Sequence, residues 1–316
     1  MRRFFTERSC ELRYYFIIVY LLASALIGAY AYKAYKTFFA EKKFMMEIAA
    51  YKISLDFVNI FDHAETTLNG INKKILEAKS DAALATVLIQ EGKNYDQNVV
   101  KYELSTGKFY WIDAQNRLIA NSEVGLLDDV IDLSNRDYLR QANKDPRHVY
   151  LGDPIIGAAS GQYVIPVGVG AQDQKGKHAG TMALSFKVAE MSARYKEIAD
   201  LYGVNFALLG MNNDIIFESK ENAFAHDKKL FDELSVQENN LSDEFISSFD
   251  LKDRVNSYVA LCTSDKYQYK VLVGFQNKFL KQELTMRMLS FFFQFLFVTL
   301  FFIASMFYVR RECLIR

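Results

Sequence analysis

The sequence predicts an α+β protein, with a long N-terminal helix leading into two mixed α/β units and a transmembrane helix on either side. Three observations predict it. Uncharged apolar runs lie near both ends, at Tyr14–Tyr32 and Met288–Val309. A Pro-free stretch from Glu41 to about Lys79 carries apolar residues at alternating spacings of three and four. From Lys108 to Phe275 the pattern changes to short apolar runs punctuated by glycine and by Asn/Asp turns, as strands require.

The first apolar run is closed by Arg13 and Lys33, the second by Arg287 and by Arg310 and Arg311. At ~1.5 Å rise per residue each is long enough to cross a hydrocarbon layer of about 30 Å, and Tyr near the ends suits the aromatic belts. A cleaved leader fits the first run less well, because its apolar core is too long and Tyr30 and Tyr32 suit no small-residue cleavage site. A buried soluble helix would have to hide the Phe residues of the second run on every side. The short flanks are rich in Arg, which keeps such segments cytoplasmic. Residues 1–13 and 310–316 are therefore expected to be cytoplasmic tails, and residues 33–287 to lie outside. Cys10 and Cys313 then fall in the tails, leaving Cys262 alone outside with no intrachain partner. A formal net charge of zero gives no support to nucleic-acid binding.

Within the outer region, residues 33–94 form a stalk helix and connector. The stripe Phe44, Ile48, Tyr51, Leu55, Val58, Phe61, Ala64, Leu68, Ile71 and Ile75 must pack on the following domain, on the same helix of a second copy, or on both. Residues 95–190 form the first α/β unit. Its hairpin is Lys108–Asp113 and Arg117–Ser122 around Ala-Gln-Asn, followed by a polar helix at Asp132–Asn143 and strands at Tyr150–Leu151, Gly161–Gly170 and Gly180–Val188. That order fits a mixed sheet with helices packed on it. A linking helix, Met191–Gly203, stops at glycine and opens the second unit, residues 191–284. Its strands are Val204–Leu209, Asp214–Ser219, Ser257–Thr263 and Tyr267–Phe275, with a polar helical or loose segment between Glu221 and Asp253. The second unit repeats the shorthand of the first without a residue-level repeat. Residues 288–309 are the second spanning helix.

The strings FYWIDAQNRLIANS, IDLSNRDYLRQA, VYLGDP, GQYVIPVGV and HAGTMALSFKV resemble, in order and spacing, the extracytoplasmic double Cache sensor domain, also described as tandem PAS-like domains. That family forms the sensing part of bacterial histidine kinases, chemoreceptors and diguanylate cyclases. The resemblance covers roughly Glu41–Lys281 and is strongest in the membrane-distal unit. It implies a bacterial inner-membrane sensor with a distal pocket for a small molecule and a proximal unit coupled to the second span. The ligand-gripping segment looks like Asp132–Tyr138, centred on Arg136. An Arg fork offers parallel N–H donors to a carboxylate, worth on the order of 1.5–3 kcal/mol as a charge-assisted pair. The alternative is a set of helix-surface pairs between Arg136 and Asp132 or Asp137. The ligand-binding set implied by the resemblance is Arg136, Tyr138, Trp111, Tyr150, Asp153 and Ser185, although an aromatic between strands is as readily core.

The amino-acid-binding subgroup resembles a pattern with an aromatic five residues before the Arg, a Trp two after it, and an Asp that grips the ammonium. Here those places look like Ile131, Tyr138 and Ser185. With no evident anion for an amino group, an organic acid or another polar solute is expected in preference to an amino acid.

No catalytic machinery, metal or cofactor is expected. His63, His148, His178 and His226 are scattered, and no phosphate-binding or nucleophile-elbow motif occurs. Gly168 and Gly170 read as sheet geometry, and Asp128 with Asp129 as a solvated turn. Residues 310–316 are too few for an output domain, so the chain is expected to signal through a separate cytoplasmic or membrane partner, as a homodimer. A membrane-tethered accessory subunit of a transport or secretion complex, or the front half of a longer receptor, shares the same topology.

Overall fold

A computed structural model describes residues 2–98, 108–146, 148–158, 161–219, 224, 247–250 and 256–315. The chain divides into two compact units, one containing the residues up to Met45 and from Gln276 onward, the other running from Met46 to Phe275 around a short excursion at 253–257.

The first unit contains the N-terminal part of helix α1, which runs unbroken over Arg2–Leu76, and helix α5, Asn277–Ile315. Both helices are long and apolar enough to cross a membrane, and neither apolar stretch is buried by protein. Leu22 and Phe297, for example, are 60% and 71% exposed, which a core helix of a soluble protein does not show. The two helices touch at defined points. Tyr20 and Thr299 hydroxyls meet at 3.2 Å, and the Tyr20 ring stacks on Phe302 at 4.5 Å. Lys42 pairs with Glu283 at 2.7 Å, and Arg287 pairs with Glu41 at 3.1 Å while lying over the Phe38 ring.

The second unit is built on two antiparallel sheets. Its first carries β1 (Phe109–Asp113), β2 (Arg117–Asn121), β3 (Gly125–Asp132), β4 (Val149–Leu151), β5 (Ile155–Ile156), β6 (Tyr163–Gln172) and β7 (His178–Lys187) in the order β3-β2-β1-β7-β6-β4, with β5 also on β6. The second carries β8 (Asn205–Gly210), β9 (Ile215–Glu218), β10 (Ser247–Asp250), β11 (Asn256–Ser264) and β12 (Tyr269–Gln276) in the order β10-β11-β12-β8-β9. The described pairings are antiparallel in both, which corrects the expected mixed sheet. Some of these pairs are hairpins of consecutive strands, such as β1–β2, β6–β7 and β8–β9, while β1–β7 and β8–β12 bring distant strands together in the same antiparallel sense. Two of the hairpin turns are local Asx turns: Asp113 Oδ1 accepts from Gln115 N and Arg117 N, and Asp173 Oδ1 accepts from Lys175 N and Lys177 N, each at 2.8–2.9 Å.

Helix α2 (Asp81–Asn98) occupies what the sequence suggested was a connector, and it packs on β2 and β3. The segment expected to be helical from Asp132 is instead the end of β3 and a turn: Asp132 Oδ1 accepts from Ser134 N at 2.9 Å, and helix α3 covers only Asp137–Lys144. Asp128 and Asp129 lie in β3, an edge strand, and not in a turn. Charges on an exposed edge discourage pairing with another chain. Helix α4 (Val188–Tyr202) leads from β7 to β8 and ends at Gly203 in the left-handed conformation. Of the segment between Glu221 and Asp253, only Phe224 and β10 are described, so most of that expectation lies outside the described residues.

From Met46 onward, α1 buries Met46, Ala49, Ala50, Ile53, Phe57, Phe61, Ala64, Leu68, Ile71 and Ile75. The second half of this face is the expected stripe, whereas Tyr51 and Leu55 point outward at 56% and 44% exposure. A straight helix drifts ~20° per heptad against a seven-residue repeat, so one continuous stripe cannot stay on one face for ten positions. Phe57 and Phe61 enter an aromatic cluster with Phe186 of the first sheet, Tyr195 of α4, Phe217 and Tyr269 of the second sheet, and Tyr267 of the β11–β12 turn. Three polar ties fix α1 there. Tyr269 donates to Ser54 O at 3.0 Å, Tyr195 donates to Asp56 at 2.7 Å, and Lys266 and Tyr267 both meet Asp62.

Candidate functional site

One face of the first sheet, flanked by the turn before α3 and by the β5 segment, forms a small pocket that is partly open to solvent. Alternation along each strand decides which side chains reach it. Tyr110 and Ile112 of β1, Leu118 of β2, Val164 and Pro166 of β6, and Ala183 and Ser185 of β7 line it, and β1 and β7 are in register at Tyr110 and Ala183. Leu133, Arg136 and Tyr138 close one side, with Ile155, Gly157 and Ala158 on another. The free space is about 40 Å³.

Arg136 is the first residue before α3, in an extended conformation, and its N–H donates to Leu133 O at 3.0 Å. Its side-chain Nε is buried and has no hydrogen-bond partner. The two flanking carboxylates are engaged elsewhere: Asp132 accepts from Ser134 N, which lowers its pKa, and Asp137 pairs with Arg140. Among the described residues, the helix-surface pairs open to Arg136 in the sequence are not made. A guanidinium N–H left unpaired in a wall costs free energy until an acceptor meets it.

Tyr138 is 5% exposed, and burial pushes its phenol pKa well above the ordinary value, so the hydroxyl stays a neutral donor at physiological pH. Its ring sits between Gly152 and Gly168, where an added Cβ would come within 3.0 and 2.9 Å of ring carbons. Gly168 thus makes room for a wall of the cavity. Burial also raises the Tyr110 phenol, with a smaller contribution from the Glu123 carboxylate, which itself pairs with Lys108.

Of the six residues expected to bind ligand, Arg136, Tyr138 and Ser185 come together on this wall. Trp111 is buried on the opposite face of β1, its ring against the backbone of Gly180. Tyr150 of β4 packs partly buried on the core around Tyr138 and Leu139, and Asp153 is exposed; neither lines the cavity. Ile131 packs on the same core. Sequence reasoning missed the apolar lining. The period-two alternation of β1 was the available signal, since it puts Tyr110 and Ile112 on the face that Trp111 does not share.

A larger cleft of about 790 Å³ lies between the end of α1 from Asn69 onward and the β6–β7 turn, but it is open to solvent and walled in part by exposed polar side chains. Among the described residues no cluster of His, Cys, Asp and Glu could hold a metal ion.

No protein-family model matches the sequence, and no curated protein matches it. Solved structures do match in fold. The extracellular domain of a protein named as a histidine kinase, rpHK1S-Z16, superimposes with a TM-score of 0.57 at 18% identity, covering 76% of this chain and 96% of that one. The sensory domain of the Campylobacter jejuni chemoreceptor Tlp3, with isoleucine bound, gives 0.52 at 12% identity over 79% and 97%. The ligand-binding domain of the Pseudomonas fluorescens chemoreceptor CtaA, in complex with L-isoleucine, gives 0.52 at 14% identity over 78% and 96%. The chain shares its fold with these extracellular, sensory and ligand-binding domains.

Proposed function

We propose that the chain is the input module of a membrane-bound sensor, with the folded region outside the cytoplasm, both termini inside, and a small carboxylate bound at Arg136. The observation that carries this reading is the Arg136 guanidinium, set in a cavity wall with its Nε unpartnered while neighbouring carboxylates pair elsewhere. The likeness in fold to sensory domains, two of them with an amino acid bound, supports a small-molecule ligand. Two helices fit to span a bilayer, with Arg-rich flanks, support the topology.

Ligand at Arg136 ties the α3 turn to the sheet. Helix α1 packs on that sheet and on the second one, so ligand biases how α1 packs against a second copy and passes the change to a signalling partner. About 1–3 kcal/mol of differential binding is enough for such coupling.

Thermal unfolding of the full chain in detergent, with a panel of small carboxylates and amino acids, tests the reading. A ligand at about 100 times its Kd should add ~2.7 kcal/mol to the stability of the outer region. Arg136→Gln should remove that increment while leaving the unliganded melting temperature nearly unchanged. An undiminished increment in the variant refutes the assignment. Labelling of single cysteines placed at Tyr163 and at Arg3 in intact cells checks the topology: only the former should react with an impermeant reagent.

A further inference from the structure

Resting on the proposed sensor reading, the wall chemistry and the size of the cavity point to a ligand class, and we infer that the site takes a short aliphatic monocarboxylate of two to four carbons, with or without a 2-hydroxy or 2-oxo group, in preference to an α-amino acid.

Charge comes first. Arg136 is the one ionised group among the described lining residues, and no Asp or Glu joins it. A zwitterion would satisfy the guanidinium with its carboxylate, but its ammonium would find no carboxylate among the described lining residues. A dicarboxylate would strand its second carboxylate in the same way. A second charge with no counter-charge in the lining is costly to desolvate, which disfavours both. The remaining polar groups are the hydroxyls of Tyr110, Tyr138 and Ser185. They can donate to the second carboxylate oxygen or to a 2-oxo or 2-hydroxy oxygen, and they ask for no further charge.

Size comes second. The free space of about 40 Å³ corresponds to three or four water-sized sites, since one water needs roughly 10–15 Å³ on this scale. Acetate, propionate and lactate are of that order, whereas whole isoleucine, with about half as many non-hydrogen atoms again as lactate, exceeds it. Pro166 and Tyr138 cannot yield cheaply, because Gly152 packs between them, where an added Cβ would lie 2.8 and 3.0 Å from their carbons.

The test is calorimetric titration of the full chain in lipid nanodiscs with acetate, propionate, lactate, hexanoate, succinate, L-alanine and L-isoleucine. Lactate and L-alanine have nearly the same shape and differ in the charge of one substituent, so this pair isolates the electrostatic claim; propionate and hexanoate isolate the size claim. Lactate or propionate should bind at least about tenfold tighter than L-alanine, succinate and hexanoate, a gap that one uncompensated charge or an overfilled cavity produces. Arg136→Gln should weaken the best ligand by about tenfold or more, as loss of a charge-assisted contact requires. Ala183→Leu, which fills the cavity from β7 and leaves Arg136 in place, should lose propionate before acetate. Binding of L-alanine, L-isoleucine or succinate that depends on Arg136 and matches or exceeds lactate and propionate overturns the class while leaving the sensor reading intact. Failure of every probe to bind, or binding indifferent to both variants, overturns the class and the placement of the site together.

Discussion

Tyr138 occupies a slot that two glycines leave open, and this residue shows how closely the site depends on single atoms. A methyl at Gly168 would stand 2.9 Å from the Tyr138 ring and 3.2 Å from Thr181 Cγ2. Overpacking of this kind costs about 1–3 kcal/mol, and the softer partner moves. Gly168→Ala is therefore expected to lower stability by about that amount and to displace the ring into the cavity, so that ligand affinity falls along with the melting temperature. Chemical denaturation and titration of the same variant check both halves; unchanged affinity with unchanged stability contradicts the slot. Gly168 was legible in the sequence only as sheet geometry, because nothing in one strand reveals which ring will cross it. Arg136 was singled out by the family resemblance, because the residues alone favoured surface pairs with Asp132 or Asp137. Its lack of a partner was not legible, since Asp132 and Asp137 offered equally good pairs until the turn and α3 claimed them.

Helix α1 joins the two sheets through specific ties and leaves another part of its surface apolar and open. Tyr195 donates to Asp56 at 2.7 Å, and Arg194 approaches the same carboxylate at 3.3 Å. Removing the hydroxyl with Tyr195→Phe takes away a hydrogen bond to a charged group, and a loss of about 1.5–3 kcal/mol by denaturant unfolding is expected. A change within error would show that Arg194 alone satisfies Asp56. On the open side, Ile48, Tyr51, Leu55 and Val58 follow spacings of three and four, as a coiled-coil seam does, and Tyr51 and Leu55 are largely exposed. The sequence showed all the apolar positions of α1 as one stripe and left open whether the domain or a second copy covers it. The structure divides them, because the domain takes the face through Met46, Ile53 and Phe57. A second copy is the proposed cover for the rest. Leu55→Glu should shift the detergent-solubilised chain towards monomer in light scattering while changing unfolding free energy by less than about 0.5 kcal/mol, as an exposed position implies. A dimer that survives this change does not use the seam.

At the scale of the whole molecule, the alternation of strand-like and helix-like periods was enough to read two sheets linked by a helix, with apolar helices at the ends. Pairing direction was not readable, and neither was the edge strand β3, whose Asp128 and Asp129 resemble a turn until β2 lies beside them. The pH response of the molecule follows from groups in distant parts of the larger unit. His178, at the start of β7, has both ring nitrogens buried without hydrogen-bond partners, and burial lowers its pKa below the ordinary 6.5. The unfolded chain then binds a proton that the folded chain refuses as pH falls below 6.5, so stability declines in that window. Asp62 is held below its ordinary 3.8 by Lys266 and Tyr267, so its contribution is present above 3.8 and is lost as pH falls through its folded value. Lys266 is raised above 10.5 by the same carboxylate, so its share persists at lower pH and disappears only as pH rises past 10.5. Melting temperature should therefore stay level from about pH 7 to 10, fall between pH 7 and 5, and fall again below pH 4, where carboxylates protonate. His178→Gln should flatten the first decline and leave the second, and Asp62→Asn should reduce only the second. If His178→Gln leaves the decline between pH 7 and 5 untouched, the proton is taken up elsewhere and the buried imidazole plays no part in acid sensitivity.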